Sequence, residues 1–217
     1  MHRGEEDYIK YIYKLTIEAN KNIVKNNILS ELLGYTNQSV NEMVKRLVKK
    51  ELVEFIPYKG VRLTQNGIVE AKRLVRNHSL WEVFLVNKLG YSWEEVHVEA
   101  EKLEHAGSNE LIERLFNYLG KPNYCVHGNS IPKLDGNMPK TYNLSLNNVN
   151  VGDVFIVKRV LDHPKLLKFL KQINLELHKS IKIINKDEVN GLISVLIDNK
   201  LFDIKSIDAE KIYGIIN

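Results

Sequence analysis

Two apolar periodicities divide this chain, and no other feature narrows its fold as far. Up to residue 119, apolar residues recur at three- and four-residue spacing, the repeat of an amphipathic helix. From about Leu144 they gather into short runs at 154–157, 181–184, 192–197 and 201–204, with turn residues such as Asn190-Gly191 between them. Such runs read as strands, and several close together predict a small barrel. Leu166, Leu167, Phe169 and Leu170 add one short helix after Pro164. Between the two textures, Gly120, Pro122, Gly128, Pro132, Gly136 and Pro139 make residues 120–142 a connecting stretch.

Within the helical part the order of elements is specific. Tyr8, Tyr11, Ile12 and Leu15 fall on one helical face, and Ile28, Leu29, Leu32 and Leu33 on another. Gly34-Tyr35-Thr36-Asn37 breaks the second helix, and Thr36 or Asn37 is a fitting N-cap for a third. That helix buries Val40, Met43, Val44 and Leu47, leaving Gln38, Ser39, Asn41, Glu42, Lys45 and Arg46 on its other faces. Residues 52–56 and 61–64 flank Pro57-Tyr58-Lys59-Gly60, a strand–turn–strand signal. Helix, short turn, helix and basic-tipped hairpin is the order of a winged helix-turn-helix. A long helix follows through Ile68, Ala71, Leu74, Val75 and His78, ending at Gly90. Ser92-Trp93-Glu94-Glu95 reads as a capping box opening a helix to about Ala106, and a further helix runs over residues 109–119.

Charge is distributed unevenly over the 217 residues. Residues 1–76 hold 14 Lys/Arg against 9 Asp/Glu, residues 77–143 hold 6 against 9, and residues 144–217 hold 11 against 9. A basic first segment suits a polyanion, and an acidic, histidine-bearing second one suits a cation. The same profile is also compatible with ordinary surface variation. No apolar run approaches the roughly 18 residues that span a bilayer, so no membrane association is expected. The opening Met1-His2-Arg3-Gly4-Glu5-Glu6-Asp7 leads into no signal-peptide core, and the lone Cys125 can form no internal disulfide. A cytoplasmic location is expected.

The chemistry-bearing residues cluster in the acidic segment. Glu101, Glu104 and His105 stand at i, i+3 and i+4, so a continuing helix would present all three on one face, with His97 one turn earlier. Oxygen and nitrogen donors without thiolate suit Mn²⁺ or Fe²⁺. By itself the pattern also describes a solvated acidic face. His78 with Glu82, and Cys125 with His127, are further metal-capable pairs. A metal-dependent enzyme or a metal buffer is a competing reading. Against catalysis, H-E-x-x-H, Walker, dinucleotide-binding and G-x-S-x-G patterns are all missing.

Taken in order, these stretches resemble the diphtheria toxin repressor family of iron- and manganese-dependent regulators, in particular its manganese-responsive branch with a C-terminal extension. The resemblance is carried by Glu6-Asp7-Tyr8-Ile9-Lys10, by Ser39-Val40-Asn41-Glu42-Met43-Val44-Lys45-Arg46-Leu47, and by Tyr58-Lys59-Gly60-Val61-Arg62-Leu63-Thr64. It continues through His78-Ser79-Leu80-Trp81-Glu82-Val83-Phe84-Leu85, the run from Trp93 to Glu101 with Leu103-Glu104-His105, and Cys125-Val126-His127-Gly128. It implies a mainly α chain with an α+β part. Residues 1–73 would form a winged helix-turn-helix, 74–142 a helical metal-binding and dimerisation domain with its connecting stretch, and 143–217 an SH3-like (FeoA-like) β-barrel.

The resemblance also implies a primary metal site of Asp7, Glu101, Glu104 and His105. A second would use Glu82, Cys125, His127 and Asp162, and an ancillary one His78 and His97. Carboxylates where iron-type members place Met and Cys favour Mn²⁺, with Fe²⁺ and Zn²⁺ as alternatives. Double-stranded operator DNA would meet Thr36, Gln38, Ser39 and Glu42 at bases and Lys45, Arg46, Lys59 and Arg62 at phosphates. The expected function is a homodimeric, metal-dependent repressor of metal-uptake genes. Two departures stand out. Lys10 replaces a glutamate ligand of the short manganese regulators, which argues against their binuclear site, and Gln38 and Asn41 replace the Pro and Ser common in relatives.

Overall fold

The structure is a computed structural model that describes residues 1–19 and 21–217 and divides into two compact units. The first comprises Met1–His78 together with the short segments Glu104–Gly107 and Pro132–Asn137. It opens with α1 (Arg3–Tyr13), which runs into a wider π-helical turn at Lys14–Glu18. Tyr8, Ile9, Ile12 and Tyr13 are the buried apolar residues here, whereas Tyr11 and Leu15 are only partly covered. Tyr8 and Ile12 of the expected face are thus buried, Tyr11 lies at its edge, and Leu15 falls within the π turn. The π turn inserts a residue into the repeat, and Thr16 Oγ1 donates back to Ile12 O at 2.6 Å within it.

Helix α2 (Asn26–Leu33) contributes Leu29 to the core while Ile28 and Leu32 stay exposed. Helix α3 (Asn37–Lys49) is capped by Thr36, whose Oγ1 accepts from Ser39 N at 3.2 Å. Its Val40, Val44 and Leu47 are buried, contributing roughly 1.5–3 kcal/mol each. The strands β1 (Val53–Ile56) and β2 (Gly60–Leu63) pair antiparallel, Val53 opposite Leu63 and Ile56 opposite Gly60. Gly60 has φ 131°, and a Cβ there would stand 2.1 Å from Val24 O. Only glycine lets the hairpin close on Val24, which bridges to Val61. The long helix α4 (Gln65–Leu89) belongs to this unit as far as His78.

The second unit, Ser79–Leu103, Ser108–Ile131 and Met138–Asn217, takes the rest of α4 and adds α5 (Val96–Leu103) and α6 (Asn109–Tyr118). Leu80, Val83, Ile112, Leu115, Cys125 and Ile131 form one apolar cluster, and Leu85, Val96 and Ala100 another. A six-stranded antiparallel sheet follows: β3 (Leu144–Ser145), β4 (Val154–Val160), β5 (Ser180–Asp187), β6 (Leu192–Ile197), β7 (Lys200–Lys205) and β8 (Ile212–Ile216). Its order is β3-β8-β4-β5-β6-β7, and α7 (Pro164–Gln172) buries Leu166, Leu167 and Leu170 against it. A one-turn helix α8 (Ser206–Ala209) precedes β8. The two strands without a sequence signal, β3 and β8, pair with each other.

One expectation is corrected here. Helix α5 ends at Leu103, so Glu104 and His105 lie in a turn and do not continue the helical face of Glu101. The orphan carbonyl of Glu104 is satisfied from elsewhere, by Asn77 Nδ2 at 3.0 Å. The capping box at its start is also altered: Ser92 Oγ donates to the Glu95 carboxylate at 2.6 Å, and the regular helix begins only at Val96.

Candidate metal centres and DNA interface

The first unit draws charged groups into its interior, which is costly unless they are paired. Glu104 and Lys10 are both 0% exposed, and Lys10 Nζ donates to Glu104 Oε1 at 2.5 Å. The other carboxylate oxygen, Oε2, lies 2.6 Å from His78 Nδ1. His105 Nε2 stands 3.0 Å from Asp7 Oδ1 and 3.3 Å from Glu104 Oε1. That nitrogen is buried and has no hydrogen-bond partner among the described residues. The opposite nitrogen, Nδ1, lies 2.6 Å from Glu6 Oε2, and Glu6 Oε1 accepts from Arg73 Nη2 at 2.7 Å.

A proton on Nδ1 directed to Glu6 leaves Nε2 with its lone pair toward the carboxylates, the arrangement that orients a metal-ligating imidazole. Donor atoms of Asp7, Glu104 and His105 all lie within 4.8 Å of one another. Hard oxygens around an orphaned imidazole nitrogen fit a divalent cation. The fourth expected ligand, Glu101, falls in the second unit, where its Oε1 lies 3.3 Å from His97 Nε2.

A second cluster lies wholly in the second unit. Ligand atoms of Glu82, Cys125 and His127 are within 4.8 Å of one another, and all three residues are buried. His127 Nδ1 sits 3.2 Å from Glu82 Oε1 without hydrogen-bond geometry. His127 Nε2 lies 2.7 Å from the carbonyl oxygen of Trp93, whose ring stacks on the imidazole at 5.8 Å. Burial pushes the Cys125 thiol up, and the Glu82 charge adds to it. Burial works against a charged His127, yet Cys125 and Glu82 more than offset it and push the imidazole up to about 12. A cation bound by these three side chains would take the place of the imidazole proton that Glu82 and Cys125 hold.

Asp162 is paired with His97 Nδ1, and these two share a 4.8 Å neighbourhood with Glu82. Burial opposes its ionisation, but the bond from His97 holds the Asp162 carboxyl below its usual range. The four residues expected as the second site thus fall into two overlapping sets joined at Glu82. Sequence reasoning placed Lys10 at a ligand position but missed its pairing with Glu104, and it missed Glu6, Arg73 and Trp93 as parts of these clusters. For Glu6 the signal was its place beside Asp7.

On the opposite side of α3 from its core residues, Gln38, Ser39, Asn41, Glu42, Lys45 and Arg46 are exposed. Gln38, Asn41, Glu42, Lys45 and Arg46 line a groove of about 980 Å³ with Phe55 of β1. Lys59 is exposed at the hairpin turn beside Tyr58, which is fully exposed. Thr36 and Ser39 also serve the helix cap, Glu42 pairs with Lys45 at 2.9 Å, and Arg62 pairs with Glu54 across the hairpin at 2.7 Å.

A winged-helix surface on the unit that also buries carboxylates and imidazoles around one point defines a DNA-binding regulator whose signal is a metal ion. Comparison with known proteins agrees. Residues 2–61 match the iron dependent repressor N-terminal DNA binding domain. Residues 64–133 match the iron dependent repressor metal binding and dimerisation domain, and 144–215 the FeoA domain. An uncharacterized HTH-type transcriptional regulator of Methanocaldococcus jannaschii is 39% identical over 56% of this chain and 96% of its own. The iron-dependent repressor IdeR of Mycobacterium tuberculosis is 33% identical over 59% of this chain and 55% of its own, so the match spans about half of that relative.

Among solved structures, a manganese-dependent transcriptional repressor in complex with manganese is 34% identical, with a TM-score of 0.89 over 98% of this chain and 100% of that one. ScaR with bound Cd²⁺ is 34% identical, with a TM-score of 0.87 over 97% and 98%. The chain belongs to the diphtheria toxin repressor family of metal-dependent transcriptional repressors. Members of this family are regulators and not enzymes, which disposes of the catalytic reading.

Proposed function

We propose that this chain is a manganese-responsive repressor that binds operator DNA as a homodimer in the cytoplasm and controls metal-uptake genes. The observation that carries the reading is His105 Nε2, buried without a hydrogen bond and flanked at 3.0 and 3.3 Å by Asp7 and Glu104 oxygens. Asp7, Glu104 and His105 would hold the ion, whose charge offsets the repulsion between the carboxylates. Asp7 ties the centre to α1, and Glu104 and His105 tie it to the turn at residues 104–106. Tyr8, Ile9 and Ile12 of α1 share one apolar cluster with Val40, Val44 and Leu47 of α3, so an α1 held by Asp7 also holds the helix that carries Gln38 and Lys45. Binding of the ion favours that arrangement by its differential affinity for it.

Oxygen-rich donors support Mn²⁺, as does the likeness to a structure described as a manganese-dependent repressor with manganese. The test is operator binding measured with and without added metal. The native chain should bind tightly only with Mn²⁺, and Asp7→Ala should stay folded and lose that response. Metal-responsive binding in Asp7→Ala would defeat the reading. A second reading, the same regulator answering to zinc or iron, draws on Glu82, Cys125 and His127, a softer donor set. DNA-binding titrations with Mn²⁺, Fe²⁺ and Zn²⁺ in parallel distinguish the two.

A further inference from the structure

Lys10 has no part in the ligand set above, yet it is a fully buried cation inside it. The residue is buried, with its side chain 1% exposed, and its Nζ contacts Glu104 Oε1 at 2.5 Å. That oxygen is the same one that faces His105 Nε2 at 3.3 Å, while Oε2 is engaged by His78 at 2.6 Å. Lys10 follows Asp7 by three residues on α1, so the two side chains leave neighbouring positions of one helical face. One carries a ligand to the centre and the other carries a positive charge to it.

We propose that Lys10 is a built-in counter-cation of the centre: its ammonium holds Glu104 when no ion is bound, and a divalent cation must compete with it for Oε1. The inference rests on the ligand reading given above. The physical argument is one of charge. Glu104, fully buried, and the partly covered Asp7 would by themselves leave two negative charges facing one imidazole, which opposes folding of the metal-free chain. Lys10 removes one of them, so the empty centre stays assembled. The same charge repels an incoming cation and occupies part of its coordination sphere, so loading becomes an exchange of one cation for another. A lysine suits this role because its ammonium is a point charge on a flexible stem and can withdraw without unfolding the helix. The consequence is a centre tuned to a higher metal threshold than its carboxylates would set by themselves.

The experiment is calorimetric titration of Mn²⁺ into the native full-length chain, Lys10→Gln and Lys10→Arg, with Asp7→Ala identifying which binding event belongs to this centre. Thermal unfolding of each metal-free protein is recorded alongside. Lys10→Gln should bind Mn²⁺ at the Asp7-dependent event about tenfold or more tightly than the native chain, because one repelling charge is gone. It should also unfold at a lower temperature without metal. Lys10→Arg, which keeps the charge, should stay within about threefold of native affinity. Affinity in Lys10→Gln equal to or below native overturns the proposal.

The native chain supplies a measurement in which the folding of a variant plays no part. With ¹⁵N-labelled lysine, the buried Lys10 ammonium resonance, assigned by its loss in Lys10→Arg, should shift or vanish when diamagnetic Cd²⁺ saturates the centre. A resonance that stays in place on saturation overturns the proposal as well. Absence of any Asp7-dependent Mn²⁺ binding in the native chain is a distinct result, and it would remove both the ligand reading and the competition built on it.

Discussion

Glu6 shows how much a single residue beside the proposed ligands can decide. Its carboxylate bridges His105 Nδ1 and Arg73 Nη2, so one group sets the tautomer of the imidazole and anchors it to α4. Removing such an outer partner costs about 10- to 100-fold in metal affinity in other proteins. Glu6→Gln keeps the size and loses the charge, so Mn²⁺ affinity should fall within that range while the fold is kept. A calorimetric titration checks it, and unchanged affinity would mean that Asp7 and Glu104 alone orient the ring. The identity of Glu6 was plain in the Glu5-Glu6-Asp7 run, but its role was not. Its partner His105 is 99 positions away, and nothing local announces the contact.

Among the elements, the loop carrying Cys125 and His127 is the one most dependent on its neighbour. Val160 N of β4 donates to His127 O at 2.9 Å, and Gly128 packs so closely on the same strand that a Cβ would stand 2.1 Å from Lys158 O. Gly128 also has φ 79°. Gly128→Ala should therefore destabilise the second unit by about 2 kcal/mol or more, combining left-handed strain with displacement from β4. Gly120 has φ 77° with nothing within 4 Å of its would-be Cβ, so Gly120→Ala carries only the backbone cost, about 1 kcal/mol. Denaturant unfolding of both variants separates the contact from the dihedral, and equal losses would show that the approach to β4 contributes nothing. The Cys125-x-His127 pair was legible as metal-capable. The strand and the Trp93 carbonyl that hold it in position were not, because both come from distant parts of the chain.

At the scale of the whole molecule, metal and stability are linked. An ion that binds only the folded chain stabilises it by about 2.7 kcal/mol at 100 times its dissociation constant. For a chain of this size that corresponds to roughly 5–10 °C in the melting temperature. Exhaustive chelation should lower the melting temperature of the native protein by about that amount, and added Mn²⁺ should restore it. In Asp7→Ala the part of the shift that belongs to the first unit should be lost. Scanning calorimetry tests this, and a chelator-insensitive native chain would argue against a folded-state metal centre. Among the described residues no helix is long and apolar enough to cross a membrane.

The sequence by itself determined the order and type of most elements and the kinds of donor available to a metal. Helix periodicity, the Thr36 cap, the hairpin signal at residues 57–60 and the shift to short strands are short-range properties, each decided by the residues within a few positions. Tertiary structure decided where α5 stops, which residues surround each donor and which carboxylates acquire a counter-charge. Lys10 meets Glu104 across 94 positions, and burial of each depends on the other. Pairing of that kind is set by the free energy of removing charges from water together, and no local window of sequence contains it.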